Sequence, residues 1–425
     1  MKILFLQKRL LLPTDNGGKI RTLNVLRYLA RWHDVTYLCN VQSADTNHIE
    51  EMRSLGVRLE TIPWYETRRG SLRFYGELAL NLLSRYPYNV NKDYDPRLRE
   101  RAGQLLASGQ YDLVICDFVQ TARNAIGLNA HAKILFEHNV ESQIFKRHSQ
   151  ADRGWLRRAY MRHQWKKMRR FEAQAGRDFD AVIAVSQQDR ETFAAEYDWD
   201  HVKVIDTAVD IDYFQPRQGT EQRDRVVFVG SMDWLPNEGG VQHFVKHTWP
   251  EILRRRPGAT FQIVGRNPPP AVRRLANVAG VEVVGTVPDV RPYLADAAVV
   301  VVPLLIGGGT RLKIFEAMSM QKAVVSTPVG AEGLNVTPGA HLLLADAASA
   351  FADAVVELLE NPSRRDQLGA AARRLVADCY SAERVARQFE RICEQTVSDA
   401  ASHCGNSTAL SACPEIRFSR RVVAT

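Results

Sequence analysis

Short apolar, β-branched runs alternate with helix-periodic stretches along this 425-residue chain, and that alternation constrains the fold most. It predicts parallel strands, because a parallel neighbour is reached only through a connection long enough to hold a helix. Residues 3–6 read as the first strand, followed by a Gly17-Gly18 turn and a helix with Ile20, Leu23, Leu26 and Leu29 on one face. Residues 35–39, 113–116, 134–136 and 181–185 read as further buried strands. The pattern begins afresh at Val226-Val-Phe-Val-Gly230 and continues through residues 261–265, 281–285, 299–303 and 323–326. Three of these later runs end in Gly, which lets the backbone approach whatever sits at the carboxyl edge of the sheet.

The polar stretch from Phe214 to Asp224 separates the two series without an apolar period of its own. The expected division is a first Rossmann-like domain at 1–210, a hinge and linker at 211–224, and a second such domain at 225–380. A last periodic helix follows at 381–397, and the polar segment 398–425 is expected to be disordered. A cleft between the halves is then the default ligand site.

Fifty-six basic against 48 acidic residues give a net charge of +8, which suits an anionic partner without choosing among nucleotide, phospholipid and nucleic acid. Gln7, Lys8 and Arg9 interrupt the first apolar run, and no stretch approaches the roughly 20 apolar residues of a spanning helix. A cytoplasmic location is expected, with contact at the inner face of a membrane. The cysteines at 39, 116, 379, 393, 404 and 413 lack the close pairing of a zinc site and read as reduced thiols.

The strongest local signal is Gly307-Gly-Gly-Thr-Arg-Leu-Lys-Ile-Phe-Glu316, between a strand and a helix. With Thr310 as N-cap, Arg311 and Lys313 fall in the first turn, where cations oppose the helix dipole. An anion on the helix end resolves that conflict. Gly308 and Gly309 let the backbone approach it, free amides donate, and Arg311 and Lys313 neutralise a diphosphate. Glu316, one turn on, is placed to accept hydrogen bonds from ribose hydroxyls.

At this point the sequence resembles the GT-B glycosyltransferases, and within them the large retaining glycosyltransferase family 4. The likeness extends to about residue 397. It rests on the Gly17-Gly18 turn, Glu137-His-Asn-Val-Glu141, Val185-Ser186, Val209-Asp210, Phe228-Val-Gly230, the stretch Thr310–Met318 and Ser326-Thr-Pro-Val-Gly330. More narrowly it looks like the sugar transferases that accompany bacterial exosortase and exopolysaccharide loci.

The resemblance implies two Rossmann-like domains facing each other across a cleft, with the nucleotide-sugar donor on the C-terminal one and the acceptor, a glycan or lipid-linked group, on the N-terminal one. It makes Glu316 the second glutamate of an E-x7-E motif; the first falls at Gly308 and is absent. Gly230, at the end of the first C-domain strand, joins the donor loop, but the basic pair expected after it is missing from Gly230-Ser-Met-Asp-Trp-Leu-Pro-Asn-Glu238. Arg311 and Lys313 are therefore expected to carry the diphosphate charge alone. Gly17 and Gly18 match the loop beside the diphosphate, Lys19 adds charge, and His138 is the histidine that faces the donor sugar. Asp117 is a weaker candidate for the acceptor pocket. The last helix is expected to cross back to the N-terminal half.

Asp178-Phe-Asp180 and Asp210-Ile-Asp212 resemble metal-binding pairs of another transferase fold, but their places at a strand start and in the hinge assign them to structure. Neither metal nor cofactor is expected, the nucleotide-diphosphate sugar being a substrate, and leaving-group charge falls to the helix end and its cations. Arg153–Arg170 reads as a basic amphipathic helix in which Trp155, Leu156, Ala159, Tyr160 and Met168 pack. It is either a solvated face or a contact for anionic lipid head groups or a lipid-diphosphate acceptor. Nucleic-acid binding is not expected, since that helix lacks aromatic interleaving for base stacking. The rival readings are a non-catalytic nucleotide-sugar-binding protein and a nucleotide-sugar epimerase, the latter disfavoured because no paired carboxylates stand ready for acid–base work. A dinucleotide oxidoreductase lacks its G-x-G-x-x-G fingerprint after the first strand.

Overall fold

The computed structural model describes residues 1–14, 17–151, 154–217, 219, 221–306 and 312–409. Two wholly parallel sheets account for the strands. The first contains β1 (Lys2–Gln7), β2 (Asp34–Val41), β3 (Arg58–Pro63), β4 (Leu113–Asp117), β5 (Lys133–Phe136), β6 (Ala181–Ala184) and β7 (Val202–Val204). The second contains β8 (Arg225–Val229), β9 (Thr260–Val264), β10 (Val281–Gly285), β11 (Val299–Val302), β12 (Ala323–Ser326) and β13 (Leu343–Leu344). Their orders are β3-β2-β1-β4-β5-β6-β7 and β10-β9-β8-β11-β12-β13. Each order reverses direction once, between β1 and β4 and between β8 and β11, and ligands of open α/β sheets bind at the carboxyl end of that point.

Alternate residues of each strand face opposite helical layers. Ile3 and Phe5 of β1 pack with Leu26 and Leu29 of the helix Gly17–Trp32, while Leu4 and Leu6 join Leu98 and Ala102 of Pro96–Ala107 on the other side. Burial on both faces explains why these strands read as continuous apolar runs. The sequence reading missed β3, β7 and β13, and all three are sheet edges.

The polar stretch after Phe214 is anchored on the C-terminal half. Glu221 meets Arg365 at 2.7 Å and Lys322 at 3.2 Å, Asp224 binds Arg256, and the Gln222 amide donates to the carbonyl of Asp296. The chain passes between the halves a second time at Ser381, beside the first passage. There the Val209 amide donates to the carbonyl of Tyr380, and the Ala382 amide donates to that of Val209. The following helix, Ala382–Ala409, buries Val385, Phe389 and Cys393 in the N-terminal core, with Phe389 edge-on to Phe136 at 5.1 Å.

That helix corrects the sequence expectation for its end. It runs on through the segment expected to be disordered from 398, as far as Ala409; residues 410–425 lie outside the described residues. Side chains one turn apart bridge it across the expected boundary: Thr396 Oγ1 donates back to the carbonyl of Ile392, and Gln395 Nε2 donates forward to Asp399. Cys39, Cys116, Cys379 and Cys393 are free thiols, and burial pushes those of Cys39, Cys116 and Cys393 up. Among the described residues no helix is long and apolar enough to cross a membrane.

Candidate active site

The N-terminal switch point is occupied by a buried polar network. β1 delivers Gln7, β4 ends at Asp117, the turn after β5 carries His138, and the helix opened by Gly17 and Gly18 contributes Arg21 and Thr22. Asp117 is fully buried and accepts from Gln7 Nε2, from Thr22 Oγ1 at 2.7 Å and from His138 Nε2 at 2.6 Å. On the other side of the imidazole, Arg21 Nη1 lies 2.7 Å from His138 Nδ1. A guanidinium only donates, so Nδ1 accepts and Nε2 carries the proton that goes to Asp117. His138 is thus held neutral, and burial lowers its pKa.

Its ring lies between Phe118, stacked at 4.3 Å, and Phe136, also at 4.3 Å, and the residue is 2% exposed. Phe118 takes φ of 72°, a conformation that costs a bulky residue roughly 1–3 kcal/mol and concentrates at functional sites. Beneath the network lie three buried carboxyls, Glu137, Glu141 and Glu172. Burial, reinforced by the neighbouring acids, holds Glu137 well above the usual carboxylate range, and burial lifts Glu172 to about 7. Glu172 accepts from the amides of Glu141 at 2.8 Å and Ser142 at 3.2 Å, which caps the helix Glu141–Ala151.

Of the sequence-selected residues on this side, Asp117 and His138 are joined directly, and Gly17 and Gly18 start the helix that closes the network. Lys19 Nζ instead donates to the carbonyl of Pro13 at 3.1 Å. Sequence reasoning missed Gln7, Arg21, Thr22 and Phe118. The available signal was an Arg-Thr pair just inside a Gly-Gly helix start, alongside a strand that ends in Gln.

On the C-terminal side, Gly230 directly follows β8 and Gly265 directly follows β9, in backbone contact. A Cβ on Gly265 would stand 1.8 Å from the carbonyl oxygen of Gly230, so only glycine fits there. Lys313, in the first turn of Leu312–Ser319, reaches over the Phe228 ring and donates to Asn237 Oδ1 at 2.6 Å. Asn237 in turn donates to the carbonyl of Ser231 at 2.7 Å. Arg266, directly after the β9 glycine, donates to Ser231 Oγ at 2.8 Å. Cations from two elements, Lys313 and Arg266, thus converge on the Gly230-Ser231 turn. The basic group missing after β8 has its counterpart after β9, a position the sequence reading passed over. Glu316 is partly exposed on the same helix, and desolvation lifts its carboxyl to about 7 against the opposing pull of Lys313. Gly308, Gly309, Thr310 and Arg311 lie outside the described residues.

A Cβ on Gly230 would fall 2.7 Å from Lys313 Nζ and 2.8 Å from Asn237 Nδ2. Lys313 ends in a flexible chain, whereas Asn237 is buried and tied to Lys313 and Ser231, so Gly230→Ala is expected to fold with a modest loss of stability and to push Lys313 off its position. If the turn holds a nucleotide, its affinity should fall roughly tenfold, about one charge-assisted hydrogen bond. Isothermal titration with uridine, guanosine and adenosine diphosphates checks this, and unchanged affinity for the one that binds the wild type would remove Gly230 from the site.

Both Asp-x-Asp pairs are tied into structure. Asp178 holds Lys133 Nζ at 2.7 Å, Asp180 accepts from the Lys133 amide, and Asp210 binds Arg27 at 3.0 Å and the amides of Asp212 and Tyr213.

Two parallel α/β halves, each presenting polar side chains at its switch point, define the GT-B fold. Sequence models of Glycosyltransferase Family 4 and of Glycosyl transferases group 1 match residues 15–213 and 223–361, together most of the chain, and this protein belongs with those enzymes. A Klebsiella pneumoniae relative, described as an uncharacterized 44.6 kDa protein in the cps region, is 22% identical over 392 residues, covering 88% of this chain and 95% of its own. Sucrose-phosphate synthase of Thermosynechococcus elongatus superposes with a TM-score of 0.68 at 18% identity, over 94% of this chain and 100% of that one. HepE of Anabaena, solved in complex with UDP, gives 0.66 at 15% identity over 93% and 100%. HepE has also been solved in complex with UDP-glucose.

Proposed function

We propose that this glycosyltransferase moves a sugar from a nucleotide-diphosphate donor to a hydroxyl of a glycan or lipid-linked acceptor, with retention of anomeric configuration. The product is a bacterial exopolysaccharide or another cell-surface glycan, assembled on the cytoplasmic side of the membrane. The observation that carries this reading is the convergence of Lys313 and Arg266 on the glycine-built turn at Gly230, with Glu316 one helical turn away. That arrangement suits a diphosphate beside a ribose. The HepE complexes with UDP and UDP-glucose support the donor class, and the cps-region relative supports a polysaccharide product.

In this reading the cations hold the diphosphate and stabilise it as it leaves, without a metal or a further cofactor. Arg311 and the glycines before it lie outside the described residues and enter this reading from the sequence alone. Glu316, ionised, accepts from the ribose hydroxyls. On the facing half, Gly17 and Gly18 approach the diphosphate, and Asp117 with Arg21 fixes His138 in one tautomer. With both ring nitrogens engaged by Asp117 and Arg21, His138 bears on the sugar or its leaving oxygen only through that network, as a positioning residue and not a nucleophile. Closure of the halves excludes water and limits hydrolysis.

A thermal-shift screen of UDP-, GDP- and ADP-sugars, repeated on Lys313→Met and with EDTA present, tests the proposal. One nucleotide is expected to raise the melting temperature of the wild type with or without EDTA, and to lose most of that shift in the variant. No shift by any nucleotide at millimolar concentration would overturn the donor site.

A further inference from the structure

The helix Leu72–Asn81 carries its apolar stripe on the wrong side for a soluble protein. Leu72, Tyr75 and Ala79 recur at helical spacing, Leu83 continues the row just past the helix end, and Leu80 lies beside it. All five are exposed, Leu72 and Leu83 at 92% and 90%. The opposite face carries the buried Asn81 and the partly buried Phe74 and Glu77. Single exposed leucines are ordinary; an ordered row of them signals a surface that is covered in use.

The C-terminal end of this helix, through the buried Asn81 on its other face, adjoins the basic helix Trp155–Gly176. Gln164 Nε2 donates to Asn81 Oδ1 at 2.9 Å, and Lys167 Nζ donates to the carbonyls of Asn81 at 2.5 Å and Leu82 at 3.3 Å. The structure changes the sequence reading of that helix. Trp155, Leu156 and Ala159, expected to pack, are exposed, whereas Lys167 is buried; Arg153 lies outside the described residues. The segments 68–85 and 154–170 together hold eleven Lys or Arg against one acid, Glu77. Arg68, Arg69, Arg85, Arg158, Arg162 and Lys166 are exposed.

We infer that these two elements form one membrane-docking face, with the Leu72–Leu83 row entering the acyl boundary and the arginines meeting anionic phospholipid headgroups. Charge complementarity selects the lipid: each Lys or Arg near an anionic surface adds to attraction. The apolar row distinguishes a bilayer from a soluble polyanion, which has no use for exposed leucines. Tyr75 and Trp155 have the amphipathic rings that settle at headgroup level. The inference stands apart from the donor site, because none of these side chains belongs to it.

Co-sedimentation of the full chain with vesicles tests it. Wild type is expected to sediment with phosphatidylglycerol–phosphatidylcholine vesicles at about 0.15 M salt, and weakly with phosphatidylcholine alone. Leu72→Ser with Leu83→Ser should lower partitioning at least ~10-fold, and Arg158→Ser with Arg162→Ser and Lys166→Ser by a similar factor. Their near-complete exposure means the leucine variant keeps the wild-type melting temperature. Absence of wild-type binding to the anionic vesicles would overturn the inference. So would a leucine variant that binds as wild type, since that result leaves charge attraction to any polyanion and no insertion.

Discussion

Glu316→Gln is expected to make the protein more stable and less able to hold its nucleotide. Desolvation holds the Glu316 carboxyl at about 7, above the 4.5 of an unfolded chain. The folded state therefore keeps its proton longer than the unfolded state. Below about pH 4.5 both are protonated and the side chain costs nothing; between 4.5 and 7 the unfolded state ionises first, and folding loses stability as pH rises. Above pH 7 the full penalty applies. Allowing for its partial exposure, removing the charge should stabilise the C-terminal half by about 2 kcal/mol at pH 8 and by almost nothing near pH 4.5. Nucleotide binding should move the opposite way. If, as proposed, the ribose hydroxyls donate to Glu316, they do so more strongly to the carboxylate than to the neutral acid, so wild-type affinity should rise up to about tenfold from pH 6 to pH 8, whereas the glutamine variant binds more weakly and without that slope. Melting curves and titrations at the two ends of this range decide the matter. A variant whose stability gain is the same at pH 4.5 and pH 8 would show that the carboxyl is not lifted as described.

Asp117→Ala should be among the most damaging single changes in the N-terminal half. The carboxylate accepts from Gln7, Thr22 and His138, all buried, and its charge favours the fully buried guanidinium of Arg21, which desolvation has already lowered to about 10. Truncation takes the carboxylate from all three donors, leaving only the 3.3 Å contact of Thr22 Oγ1 with His138 Nε2 among them, and takes from Arg21 one of its two supporting charges, that of Asp189 remaining. Stranded buried donors and a less compensated buried charge together cost about 3–5 kcal/mol. For a half of this size that corresponds to a fall of roughly 10 °C in its unfolding midpoint. Gln7→Leu, which removes one donor and leaves the carboxylate two, should cost far less. A midpoint for Asp117→Ala within about 2 °C of wild type would mean that water replaces the carboxylate and that the network is not what holds His138.

Most strands that the sequence made legible are buried on both faces, where the apolar run is continuous; β10, an edge strand of partial burial, was legible from its Val-Glu-Val-Val-Gly run. β3, read as Arg-Leu-Glu-Thr-Ile-Pro, β7, read as Val-Lys-Val, and the two-residue β13 have one neighbour each, so selection for apolar residues relaxes and the pattern fades. Glycines and residues just past strand ends were readable for a related reason: Gly230, Asp117 and His138 stand where the topology places ligands. Their partners were not. Arg21 and His138 are 117 positions apart, and nothing local in either segment announces the other. Arg266 escaped notice because the search for a cation followed the first strand of the second half, whereas the sheet sets the end of β9 beside it. The outward-facing leucines of 72–83 were invisible for the opposite reason. Their spacing is that of any amphipathic helix, and only the coordinates show which way the stripe points.

The paired passages at Val209 and Ser381 have a kinematic consequence. Two chain segments bonded side by side resist sliding past one another and resist separation, which leaves rotation about the line through them as the easy relative movement of the halves. With such an axis, a few degrees of turn at Val209 and Ser381 barely moves atoms nearby but sweeps the far rims of both halves through several times that arc. The Arg27–Asp210 ion pair lies next to this axis and so barely lengthens during the turn. Side chains at the mouth register opening and closing most strongly, and the two peptide groups that permit it stay nearly still.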